Sequence, residues 1–313
     1  MEEGADVKSI GPSEFRRMLG ELDPVTLGKL LEADLRYRTI SGAERESILI
    51  RYIDTLLQPK TPSGKGYQTI WDRGWAENLQ EFESSGSLKS LLPKFVRKGE
   101  YIRYEGGWIA PISDDFESTF VTVLRTHYFK KYFSSVDVLI EIGAGTGLNA
   151  VHFLELFPNK KAVGLDWSDS AVEILNKVRQ RHNLPIAGIK FDMFEPIAFD
   201  EIITKSDVRV GLLSIGAFEQ LGTNYQKMLD WCLTPRQVEV VCHIETNFEL
   251  YDSSCLFDFL PIRYIEKRNW LRGYFRELSE LSNFGSIKIL ERVKTFGSFF
   301  HDGYTVTIWS RNI

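Results

Sequence analysis

The 313-residue chain is short of several things, and each shortage removes a class of protein. It has three cysteines, Cys232, Cys242 and Cys255, an odd number at spacings that match no zinc site. Free thiols in a reducing compartment are the expectation, and with them a cytoplasmic location. No stretch approaches the roughly 20 apolar residues that a membrane helix needs. The opening segment MEEGADVKSIGPSEF has neither the basic start nor the apolar run of a secretory signal. Positive charge is not in excess either: 38 Lys and Arg stand against 43 Asp and Glu, a net charge of −5. Binding nucleic acid draws mainly on neutralised phosphates, so this balance argues against a nucleic-acid partner. Internal repeats and low-complexity segments are absent. What is there, 43% hydrophobic and 26% charged residues, is ordinary for a folded domain, with aromatics generous at 13%.

Residues 13–58 read as helical, with Ser13 a cap for a helix over 14–21, a second helix over 25–36 and a third over 44–57, set apart by Gly42. The stretch 59–66, PKTPSGKG, reads as a linker or mobile loop. From 67 to 115 the chain is aromatic and Gly-punctuated, with Trp71, Trp75, Phe82, Phe95, Tyr101, Tyr104 and Trp108. It suits either a substrate-facing lid or simple packing of an N-terminal layer onto a core. After a helix over 116–132, strand and helix alternate. Strands are expected over 136–142, 161–165, 186–191, 208–214 and 238–244, and helices over 148–156 and 170–180. A long amphipathic segment covers 256–281. Two closing strands, 286–293 and 304–309, lie too close for a crossover helix and must form an antiparallel hairpin. Apolar strands alternating with helices imply a doubly wound α/β sheet covered on both faces. The expected division is a helical and aromatic cap over 1–115 and a cofactor domain over 116–313.

The strongest local pattern is VLIEIGAGTGLNA at 138–150, a strand running into a glycine-rich turn and then a helix. Gly143, Gly145 and Gly147 let backbone pass close to a ligand, around Ala144. A dinucleotide fingerprint would place its third glycine at position 148, which is Leu. A nucleoside without phosphate fits better. Glu141 at the strand end suits a cationic amino group. Asp166 ends the second strand, where it can accept both ribose hydroxyls, with Trp167 beside it. Asp192 ends the third, near an adenine amino group, with Met193 and Phe194 as apolar surface and Ile215 on the next strand tip.

This ordered set resembles the class I S-adenosylmethionine (SAM)-dependent methyltransferases over roughly residues 116–313. The resemblance implies a seven-stranded, mostly parallel Rossmann-like sheet whose antiparallel last strand sits beside the fifth, with SAM as cofactor. Outside the shared motifs, WDRGWAENL, SIGAFEQLG, HIETNFELYD, the KRN at 267–269 and FHDGY look similar to bacterial methyltransferases of sugar or polysaccharide modification.

Ligands of open α/β sheets bind beyond the carboxyl ends of the strands. That rim carries Glu219 and Gln220 after the fourth strand, and His243 and Glu245 after the fifth. If the last strand is antiparallel, His301 and Asp302 join them. His301 is the favoured base for a hydroxyl acceptor, His243 and Glu245 orient or bind, and Glu219, Gln220 and Tyr251 are acceptor-binding candidates. The set His243, Glu245 and His301 can also hold a divalent ion, although the favoured reading has no metal. His127, His152 and His182, on helices without acidic company, read as structural. Arg263, Lys267, Arg268 and Arg272 form a basic stripe, either a solvated helix face or a contact for a phosphorylated or uronic acceptor. The leading function is methyl transfer to a small molecule or glycan, with no nucleic-acid or membrane partner. The competing readings are a SAM-binding module without turnover and a nicotinamide-dependent oxidoreductase.

Overall fold

Local rules place the first helices of the computed structural model, which describes residues 6–59, 63–94, 99–205 and 207–312. Residues 60–62 of the expected linker, and Phe95, lie outside them. After β1 (Val7–Ser9), α1 (Pro12–Leu19) starts two residues earlier than expected. Its cap is Gly11, whose N–H donates to Glu14, while Ser13 donates its hydroxyl to the same carboxylate. α2 (Pro24–Glu32) begins where the Asp23 carboxylate accepts from the Val25 and Thr26 N–H groups. β2 (Arg36–Thr39) follows, and then α3 (Gly42–Leu57), opened by a Ser41–Glu44 capping box, so Gly42 is the first residue of the helix rather than a separator.

The aromatic stretch holds an unexpected 18-residue helix, α4 (Gln68–Ser85). Trp71, Trp75, Asn78 and Phe82 share one face at helical spacing, and the polar Asn78 in that stripe disguises the pattern. Asn78 is buried because its amide donates to the Ser90 and Leu92 carbonyls. Two short strands, β3 (Ile102–Tyr104) and β4 (Gly107–Pro111), complete the N-terminal part.

α5 (Phe116–Tyr132) leads into the main sheet. Its units are β5 (Val138–Ile142), α6 (Leu148–Leu156), β6 (Lys161–Asp166), α7 (Asp169–His182), β7 (Ile186–Lys190), β8 (Val210–Ile215), α8 (Gln226–Leu233) and β9 (Val238–Ile244). The expected long amphipathic segment divides into α9 (Leu256–Arg268) and α10 (Tyr274–Asn283). Asn269, left-handed at φ 52°, ends α9 and Gly273 opens α10. β10 (Ile287–Val293), β11 (Phe296–Gly297) and β12 (Val306–Arg311) close the chain.

The seven-stranded sheet runs β10-β12-β9-β8-β5-β6-β7. Neighbours from β9 to β7 are parallel, and β12 pairs antiparallel with both β9 and β10, as expected. Side chains alternate between two cores. Leu139, Leu213 and Cys242 join the core under α5, α6 and α7, whereas Val138, Ile140, Ile142 and Leu212 join the one under α8 and α10. Beside the expected N-terminal helices lies a second antiparallel sheet, β1-β2-β4-β3-β11. Its strands have two to five residues, too short to show a period. The connection within the C-terminal hairpin thus supplies a strand to the N-terminal layer and ties the two together.

A buried ion cluster fastens that junction. Arg103 of β3 is fully buried and lies 3.3 Å from Asp302 and 3.6 Å from Asp258, while its Nη2 donates to the Phe257 carbonyl. Lys294 adds a second cation, 2.9 Å from Asp258 and 3.4 Å from Asp302. Removing one member of such a cluster strands the others without water. Arg103→Leu is expected to lower unfolding free energy by about 3–5 kcal/mol in a denaturant titration. A loss below about 1 kcal/mol would show that the cluster is incidental.

Candidate active site

A cavity of 1370 Å³ opens against the carboxyl ends of β5, β6 and β8. It exceeds the roughly 300–1,000 Å³ of a single-ligand pocket, so it has room for two reactants. The sheet side consists of Gly143–Thr146, Asp166, Trp167, Met193 and Ile215–Ala217. α4 and α5 face it, and Tyr264, Arg268, Trp270, residues 298–301, Gly303 and Tyr304 form the far wall.

Two glycines of the loop after β5 answer to close packing. Gly143 has φ 70°, and a Cβ there would stand 2.3 Å from the Ala217 Cβ. Gly145 has φ 52°, and its Cβ would meet the Trp75 ring at 2.8 Å. α4 therefore rests its indole directly on the loop. It is held there by α7, through Ser168 donating to Asp72 at 2.5 Å, Lys177 at 2.7 Å from Glu83, and the imidazole of His182 at 3.0 Å from the Gly86 carbonyl. Gly147 precedes α6 and does not line the cavity.

Asp166 ties the tip of β6 to this loop: its carboxylate accepts the Gly145 N–H at 2.8 Å and the Ser168 N–H at 2.9 Å. Burial raises its pKa to about 6. Glu141 behaves differently from expectation. It does not line the cavity, but accepts from Asn149 at 2.5 Å and from the Ala150 N–H at 3.1 Å, bracing the start of α6. Burial raises its pKa to about 7. Asp192 also lies off the cavity, 3.2 Å from Lys65 and accepting the Phe194 N–H.

The expected rim group is split. His301 lines the cavity, its Nδ1 2.8 Å from the Thr246 hydroxyl, its ring parallel to Tyr264 and edge-on to Trp270. Burial lowers its pKa to about 4, so it is neutral at physiological pH. Glu219 and Gln220 line it too, and burial, aided by repulsion from Glu245, raises Glu219 to about 8. His243 does not line it: the ring is fully buried between the Ser214 hydroxyl and the Tyr274 phenol, both 2.9 Å away. Glu245 does not line the cavity: its Oε1 accepts the Ala217 and Phe218 N–H groups while its Oε2 is buried without a partner, and the Tyr251 hydroxyl accepts the Asp302 N–H at 2.8 Å. His243 and His301 share no partner, and among the described residues no three His, Cys, Asp or Glu side chains gather as a metal site. His152 is not free of acidic company, since its Nδ1 lies 3.4 Å from Glu155.

Sequence reasoning missed two cavity residues. Arg125 on α5 is 4% exposed, and its Nη1 donates to Asn149 while Nε has no partner. Burial lowers its pKa to about 10. Tyr304 donates to Glu117 at 2.6 Å. Arg125 sits in no motif, and its one available signal is a charged residue among the apolar ones of α5; Tyr304 closes the FHDGY segment, of which the sequence singles out only His301 and Asp302.

No family model matches the chain, and no curated protein does. Several solved structures are similar in architecture. An O-methyltransferase from neocarzinostatin biosynthesis, solved with S-adenosylmethionine and 2-hydroxy-5-methyl naphthoic acid, is 13% identical with a TM-score of 0.40, over 63% of this chain and 58% of its own length. The plantazolicin methyltransferase solved with SAH is 13% identical with a TM-score of 0.42, over 87% of this chain and all of its own. A branched-chain polyamine synthase from Thermus thermophilus, solved with 5'-methylthioadenosine, is 12% identical with a TM-score of 0.41, over 62% of this chain and 56% of its own. The strand order, with β12 antiparallel beside β9, is the one expected for a Rossmann-like methyltransferase sheet.

Gly143→Ala forces both a left-handed alanine and a methyl into Ala217, and a loss of about 3 kcal/mol or more is expected in thermal or urea unfolding. Gly216→Ala, also at positive φ but with nothing within 4 Å, should lose only about 1 kcal/mol. Equal losses would remove the packing argument.

Proposed function

We propose that the chain transfers a methyl group from SAM to a hydroxyl of a small molecule or glycan. The observation that carries this is Asp166, a buried carboxylate on the wall of a two-reactant cavity, bonded to the glycine loop beside it. The residues fit the cofactor. Asp166 would accept the ribose hydroxyls, Trp167, Met193 and Ile215 would flank the adenine, and Arg125, with a partnerless N–H, would hold the amino-acid carboxylate. Glu141 acts through Asn149 and α6 rather than by contact.

When bound, SAM supplies an electrophilic methyl carbon on its sulfonium. The chain contributes alignment and removal of a proton. Thr246 holds Nδ1 of His301, which leaves Nε2 to take the proton of the acceptor hydroxyl. Glu219 and Gln220 bind the acceptor. His243, Glu245 and Tyr251 keep the strand tips in place: Glu245 pins residues 217–218, and Tyr251 pins Asp302.

Calorimetry with S-adenosylhomocysteine, 5'-methylthioadenosine and NAD tests the cofactor assignment. Binding of NAD in place of the first two would overturn it. Asp166→Ala should weaken S-adenosylhomocysteine by about 1–3 kcal/mol. Arg125→Met should weaken it by a similar amount while leaving 5'-methylthioadenosine, which has no carboxylate, unchanged. Equal losses for both ligands would take the carboxylate role from Arg125.

His301→Ala should lower turnover roughly 10²-fold on whichever member of a sugar and phenol panel is methylated, with cofactor affinity intact. Because the imidazole gains its proton only below about pH 4, the His301 limb of the pH–rate profile belongs there and not near 6.5. Wild-type turnover in the variant would end the base assignment.

A further inference from the structure

The basic stripe over 263–272, expected on one helix, runs past the end of α9 and resolves into four different situations. Lys267 donates to the Thr55, Leu56 and Gln58 carbonyls at the end of α3. Arg263 pairs with Glu266 at 2.7 Å, and Arg272 donates to Asn269 at 2.9 Å. Arg268 alone of the four lines the cavity. Its guanidinium carbon stands 5.2 Å from the ring centres of both Tyr67 and Trp270, it makes no hydrogen bond among the described residues, and its Nε is buried without a partner. Trp270 is 5% exposed, and its indole N–H also lacks a partner. The same indole meets His301 at 4.9 Å, so both donors stand on the base's side of the cavity.

Buried donors without acceptors are unfavourable, and one of them here carries a charge. The cavity carboxyl that interacts with Arg268 is Glu219, whose raised pKa leaves it largely protonated at neutral pH. It offers an O–H instead of a compensating charge. One guanidinium, one indole N–H and one carboxyl O–H together lack a planar acceptor with a single negative charge.

We propose that Arg268 and Trp270 bind a carboxylate of the methyl acceptor, which makes the preferred substrates hydroxy acids whose carboxylate lies near the reacting hydroxyl. The rings of Tyr67 and Trp270 flank the guanidinium and its Nε is buried, so less water competes for the pairing than at an exposed arginine. The proposal rests on the reading of the cavity as a methyl-acceptor site.

The test uses matched pairs, 2-hydroxybenzoate against 2-hydroxybenzamide and 3-hydroxy-2-naphthoate against its amide. Each is titrated into the full-length protein with and without S-adenosylhomocysteine, by calorimetry and cavity tryptophan fluorescence. The carboxylates are expected to bind at least about tenfold more tightly than their amides, the increment of one charged hydrogen bond. Arg268→Met should erase that difference and Arg268→Lys should retain part of it, with S-adenosylhomocysteine affinity and thermal melting unchanged. Equal binding of acid and amide, a preference that survives in Arg268→Met, or no carboxylate binding at millimolar concentration would overturn the proposal. Failure to bind S-adenosylhomocysteine while the carboxylates still bind at Arg268 would sink the methyl-transfer reading and leave the anion site standing.

Discussion

The hydrogen bond from the Gly145 N–H to the Asp166 carboxylate organises the rest of this molecule. It joins two adjacent strand tips, fixes the loop that floors the cavity and presents a carboxylate at the point where the parallel strands end. It holds because two positions of the loop carry no side chain: a Cβ at Gly143 or Gly145 would strike Ala217 or Trp75. α4 then closes onto the loop through Trp75, and α7 holds α4 in place through Asp72 and Glu83.

Dehydration sets the chemistry inside. Burial raises Asp166 to about 6, Glu141 and Glu245 to about 7 and Glu219 to about 8. It lowers His243 to about 3 and His301 to about 4. Near neutrality the imidazoles are uncharged and Glu219 keeps its proton, so polar groups are present with little anionic charge. The effects on stability oppose each other. Above about pH 4.5 the native carboxyls hold protons that the unfolded chain has released, so their contribution falls as pH rises towards 7–8. Between about 4 and 6.5 the unfolded chain protonates histidines that the native state keeps neutral, and that contribution rises with pH.

The junction between the sheets is the second constraint. β11 leaves the hairpin to pair with β3, and Arg103 meets Asp302 directly beside His301. The far wall of the cavity is therefore built on the ion cluster, and the orientation of His301 depends on a strand from the N-terminal layer. Fold and site are coupled there, since the turn that presents the imidazole follows β11 and is held by Tyr52 and Trp108 of the N-terminal part through the Phe300 and Phe299 carbonyls.

The sequence by itself determined the sheet. Apolar strands at regular intervals, a glycine turn after the first and acids at successive tips depend on nearest neighbours and period, and β5, α6 and β9 lie where the pattern put them. It also placed Asp166 and His301 at the rim. Tertiary structure decided which rim residues face the cavity. His243 and Glu245 end the same strand as expected, yet a buried polar group turns to whatever partner removes its desolvation penalty, and Ser214, Tyr274 and two backbone amides did so. Arg125 and Arg268 became cavity residues for the converse reason. Helix packing buried donors that no local rule had provided with partners, and such a vacancy is a property of the assembled fold alone.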